Sequence, residues 1–119
     1  MGYEGADRRK FPRADFSCRI NIFYSQETME GRVKNIGVGG VLMTLDRELM
    51  RDIPMKLELF IEPKVTVRCS GHVVWVLQRP DSADPTRPLF DTGIQFDDIS
   101  ETDRGQLKEL VDRINAQQP

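Results

Sequence analysis

A chain of 119 residues with 39% hydrophobic content supports one core and one domain, not two. Its 17 basic and 19 acidic residues leave a net charge of −2, without the basic excess that binding to nucleic acid or an anionic membrane draws on. No apolar run approaches the roughly 20 residues that span a bilayer, and the charged N-terminus lacks the apolar centre of a secretory signal, so the expected location is the cytoplasm.

Residues 1–14 carry Arg8, Arg9, Lys10 and Arg13 with little apolar content, which predicts a flexible arm ahead of a folded domain at 15–119. Phe16, Cys18, Ile20, Ile22 and Tyr24 alternate with polar residues, the period of a half-buried strand. Ser25 to Glu30 reads as a polar turn, and an extended pattern resumes at Gly31–Asn35. Gly37, Gly39 and Gly40 then cluster ahead of the apolar run Val41–Leu45, which predicts a tight connection with unusual backbone angles. Asp46–Asp52 reads as a charged connector with room for one helical turn.

Leu57, Leu59 and Ile61 alternate in the next strand, and Glu62-Pro63-Lys64 reads as a hairpin turn. The strand that follows places Val65, Val67, Cys69, Gly71, Val73, Trp75 and Leu77 on one face. Pro80, Pro85 and Pro88 mark Arg79–Pro88 as a loop, and Phe90, Thr92, Ile94 and Phe96 form a last strand. Ser100 is placed as a helix N-cap. Leu107, Leu110, Val111 and Ile114 give the helix one apolar stripe. Short strands separated by turns, closed by one helix, predict a sandwich or barrel.

Little in the chain supports catalysis or metal binding. His72 is the sole histidine, so a nucleophile–base pair has one candidate base. Cys69 and His72 lie three apart on a strand and point to opposite faces, and a fourth ligand is missing, so no zinc site is expected. Cys18 and Cys69 read as reduced core thiols. The glycine cluster lacks the Gly-Lys-Ser/Thr of a phosphate-binding loop.

Two features exceed the needs of a fold: Arg8-Arg9-Lys10-Phe11-Pro12-Arg13, and Asn35-Ile36-Gly37-Val38-Gly39-Gly40. Guanidinium groups match phosphate and the guanine O6/N7 edge, an amide matches a base edge, and glycines admit close approach to backbone N–H groups. Together they suit an anionic purine nucleotide. In this order they resemble the PilZ domain family, whose RxxxR motif matches Arg9 to Arg13 and whose Asp/Asn-x-Ser-x-x-Gly motif matches Asn35 to Gly40. Gly71-His72-Val73-Val74-Trp75 and Gly93-Ile94-Gln95-Phe96 extend the resemblance from about Asp7 to the terminal helix.

The resemblance implies a mainly β fold, a six-stranded antiparallel barrel with a C-terminal helix and a flexible N-terminal arm. It also implies a non-catalytic receptor for the messenger cyclic di-GMP, with no other cofactor. Arg9 and Arg13 would engage phosphate and guanine, Asn35 a guanine edge, and Gly40 would permit close approach. Arg8 sits where the family favours an intercalated ligand pair over a single molecule. Trp75 either stacks on a guanine or joins the core with Val73. Gly37 replaces the family serine, and loss of one hydroxyl partner corresponds to about a tenfold weakening. The expected partners are the ligand and an effector protein, without nucleic acid or membrane, in a monomer or weak homodimer. The alternative is a ligand-independent interaction module of the kind that serves pilus assembly or motility, although such relatives typically lack the arginine motif kept here.

Overall fold

The alternation around residues 16–24 forms the body of β1 (Arg13–Tyr24), with Cys18, Ile20, Ile22 and Tyr24 buried on its inner side. The computed structural model describes residues 13–117, and Arg8 and Arg9 lie outside them. β2 (Glu27–Gly37), β3 (Gly40–Leu45), β4 (Met55–Glu62), β5 (Val65–Pro80) and β6 (Pro88–Ile99) follow, then α1 (Glu101–Ala116). The strands close in the order β1-β2-β3-β6-β5-β4, every neighbouring pair antiparallel. A closed antiparallel barrel of six strands with a C-terminal helix is the expected fold.

Ile20, Ile22, Met43, Leu57, Leu59 and Val67 fill the barrel interior and are almost wholly buried. Each such side chain contributes roughly 1.5–3 kcal/mol relative to exposure. Ser100 caps α1 by accepting a hydrogen bond from the Asp103 N–H at 3.1 Å. The helix seats Leu107, Leu110 and Val111 in the core, with Ile114 packed against it. Among the described residues three polar ties hold the helix down. Arg113 donates to Glu62 at 2.6 Å, Asn115 to the Arg13 carbonyl at 3.3 Å, and the Arg68 N–H to Asp103 at 3.4 Å.

Several expectations are corrected. The polar turn shrinks to Ser25 and Gln26, because β2 already begins at Glu27; Ser25 adopts the left-handed region with φ 57°. Residues 46–52 contain bends and a turn but no helix. Pro80 and Pro88 sit opposite each other as the last and first residues of β5 and β6, so the loop narrows to 81–87. No described glycine has a positive φ, so the glycine cluster does not serve unusual backbone angles.

The single inward face expected for β5 is also wrong in its second half. Val73 pairs with Ile94 while Trp75 pairs with Gly93, so Val74 is a surplus residue and the alternation reverses beyond it. Val73 is buried and Val76 packs on the core, whereas Trp75 and Leu77 are 42% and 59% exposed.

Candidate functional site

Extra residues also shape the opposite wall. Val33 pairs with Met43 and Asn35 with Leu42, which makes Lys34 surplus in β2 and turns Asn35 outward while Ile36 stays buried. On β1 the register shifts between Asp15 and Cys18, which leaves Asp15 exposed opposite Asn35. The side chains of these neighbouring strands meet in a short relay. Arg13 Nε donates to Asn35 Oδ1 at 2.5 Å, and Asn35 Nδ2 donates to Asp15 Oδ1 at 3.2 Å. Both ends of the Asn35 amide are thereby oriented.

The connection from β2 to β3 lies against β6, where the Phe96 N–H donates to the Gly39 carbonyl at 2.9 Å. Gly40 is buried there, and a Cβ at this position would collide with the Ile94 carbonyl oxygen and stand 3.2 Å from Gln95 Cα. Its contribution is therefore close packing of two backbones. Gly93 has a comparable role on the neighbouring strand pair, because a Cβ on it would run into the Trp75 indole. The ring consequently lies over the β6 backbone, and its exposed remainder is open to solvent.

These pieces enclose a cleft of about 680 Å³ on the barrel surface. Arg13, Asn35, Gly40 and Trp75 all line it, together with Gln95 and Arg104, and among the described residues no acidic side chain does. That volume falls within the roughly 300–1,000 Å³ of small-molecule sites. Two guanidinium groups, two side-chain amides and a flat aromatic surface suit an anion that carries planar polar rings.

Among the residues singled out in the sequence, Gly37 is buried and pairs in register with Arg13 but does not line the cleft. Arg8 and Arg9 fall outside the described residues. Sequence reasoning missed Arg104, which the helical pattern assigns to a polar face. One signal was available: a cation in the first turn of a helix opposes the positive end of the helix dipole, so its placement there does not serve the helix.

Elsewhere on the barrel, Asp91 accepts from Thr44 at 2.8 Å and from Arg79 at 2.9 Å. Burial pushes its carboxyl up. The hydrogen bonds from Arg79 and Thr44, with the charges of Arg79 and Lys34, outweigh that and hold it below the usual carboxylate range. Burial raises the Cys18 thiol to about 11, against the opposing charge of Arg32. Burial, reinforced by Asp103 and Asp98, raises Cys69 to about 12.

Comparison with known proteins places this geometry in context. A family model described as PilZ domain matches residues 7–113. The Bacillus subtilis inhibitor of motility, MotI/DgrA, superposes with a TM-score of 0.79 at 16% identity, over 94% of this chain and 53% of that one. The PilZ domain of Escherichia coli YcgR, solved with c-di-GMP, gives 0.74 at 16% identity, over 92% of both chains. The K. pneumonia MrkH–c-di-GMP complex gives 0.71 at 19% identity, over 92% of this chain and 52% of that one. The chain thus spans about half the length of MotI and MrkH but nearly all of the YcgR domain. No curated protein sequence matches it. No helix among the described residues is long and apolar enough to cross a membrane.

Proposed function

The chain belongs to the PilZ domain family, and from that premise we propose that it is a non-catalytic receptor for cyclic di-GMP, acting in the cytoplasm. The observation that carries this reading is the cleft, free of acidic side chains among the described residues, in which Arg13 and Asn35 face Trp75 across Gly40 and Gly93. Cyclic di-GMP is a dianion with two guanines. Arginine supplies charge-assisted, forked hydrogen bonds to phosphate or to guanine O6/N7. Asn35 meets a base edge, and the indole offers a stacking surface. The YcgR and MrkH structures that share the fold were solved with this messenger, which supports the same ligand class here.

In the proposed mechanism Arg8 and Arg9, on the segment that precedes β1, close over the bound dianion. Arg8 favours a second, intercalated ligand molecule. Closure alters the surface offered to an effector protein or to a second copy of the chain. Ordering that segment draws on contact energy, so affinity falls with salt and with truncation of the arm.

A calorimetric titration with cyclic di-GMP tests the reading. Saturable heat and a raised melting temperature are expected, because a ligand selective for the folded state stabilises it. Absence of both overturns it in favour of a ligand-independent interaction module, a reading that Gly37 in place of the family serine favours.

A further inference from the structure

Arg104 occupies a position that neither the barrel nor the helix accounts for. It is half-buried at the first turn of α1 and lines the cleft. Arg13, Arg47 and Arg79, the other half-buried described arginines, bond to Asn35, Glu27 and Asp91 respectively. Arg104, by contrast, has no side-chain hydrogen bond or ion pair among the described residues, although its backbone N–H donates to the Ser100 carbonyl at 2.8 Å. Its neighbours Glu101 and Asp103 suit the positive end of the helix; Arg104 does not. A guanidinium kept in a partly desolvated cleft without a carboxylate partner is matched by an anion that arrives from outside.

Resting on the proposed reading of the cleft, we propose that Arg104 is a phosphate-binding residue supplied by the C-terminal helix. A cyclic dinucleotide presents two phosphates, and among the described residues the cleft is lined by two cations, Arg13 from β1 and Arg104 from α1. Ligand binding therefore joins the start of the helix to the barrel face. The first turn has few other fastenings there. The capping hydrogen bond of Ser100 and the Arg68-to-Asp103 bond at 3.4 Å are the side-chain ties at that end among the described residues. Occupancy of the cleft fixes the N-terminal turn of α1, so the helix reports the ligand state to whatever it contacts.

The test titrates cyclic di-GMP into the wild type, Arg104→Gln and Arg104→Lys, with melting of each ligand-free protein and amide hydrogen exchange of residues 101–104. The expected results are at least about a tenfold affinity loss in Arg104→Gln, from the lost charge-assisted bond. Ligand-free melting should stay unchanged, and Arg104→Lys should bind more tightly than Arg104→Gln. Ligand should slow exchange in the first helical turn of the wild type only. Wild-type affinity in Arg104→Gln overturns the assignment, as does equal weakening in the lysine and glutamine variants. A wild type that does not bind at all overturns the proposed function itself, and this inference with it.

Discussion

Arg13 and Asn35 lie 22 positions apart in sequence and are joined by one hydrogen bond, from the guanidinium Nε to the amide oxygen. Both line the cleft, so each is oriented by the other before any ligand arrives. Arg13→Ala should lower cyclic di-GMP affinity more than tenfold, and Asn35→Ala should lower it by a smaller factor. Because they are in contact, the double variant should lose less than the sum of the two effects, a non-additivity of about 0.5–3 kcal/mol. Isothermal calorimetry on the four proteins measures it, and strictly additive losses would contradict the preorganised pair.

Trp75 is the only tryptophan in the chain, so its emission reports the cleft without interference. Saturating ligand should quench it. Trp75→Ala should weaken binding by about 1–3 kcal/mol, the range for loss of one base–aromatic stack. Gly93→Ala should weaken it too, because a methyl group there displaces the indole. Unaltered emission at saturation would place the bases elsewhere.

Two glycine-to-alanine changes should act in opposite directions on thermal stability. At Gly40 a methyl group meets the Ile94 carbonyl, and overpacking of this kind costs about 1–3 kcal/mol. At Gly105, within α1, nothing stands within 4 Å of an added Cβ, and alanine should gain close to ~1 kcal/mol of helix propensity. Melting curves that moved in the same direction would refute this contrast.

The Asp91 carboxyl is held below its ordinary value, so its contribution to stability is present above the unfolded value of about 3.9. It is lost as pH falls through the lower folded value, where the carboxylate takes up a proton. Asp91→Asn should therefore lower the melting temperature at neutral pH. The gap to the wild type should narrow steadily below about pH 4. A gap of constant size across that range would show that the Arg79 pair is not its source.

Thiols raised to about 11 and 12 are almost entirely protonated at pH 8, and Cys18 is also buried. Neither should react appreciably with iodoacetamide in the native protein, and both should react promptly in urea, as mass spectrometry would show. Rapid native labelling of Cys69 would reveal local opening where β5 meets β6.

The parity of β1 and the stripe of α1 were legible because alternation and the 3.6-residue period are carried by side-chain polarity alone. Cys18 to Tyr24 and Leu107 to Ile114 are buried or packed on the core as that pattern requires. The order of Arg13, Asn35, Gly40 and Trp75 along the chain likewise carried the family resemblance, and all of them line one cleft. Register was not legible. Lys34 and Val74 look like ordinary strand residues, yet each is surplus to its partner strand, and only pairing across the barrel reveals it. The unusual backbone angle expected of the glycine cluster is absent, and Gly40 instead serves a crowded strand crossing, a distinction that composition does not make. Arg104 carried only the sign of a cation in the first turn of a helix, because a cleft assembled from several strands and a helix has no contiguous signature.

The surplus at Val74 works on β5 much as a frameshift works on a message. Upstream, odd-numbered positions write the interior; downstream, the even-numbered Val76 does, and the same odd phase writes the outer surface. Single-residue insertions or deletions between Val73 and Trp75 would thus exchange lining for filling without altering amino-acid content. An alignment that forbids a gap there would misassign every site as far as Pro80.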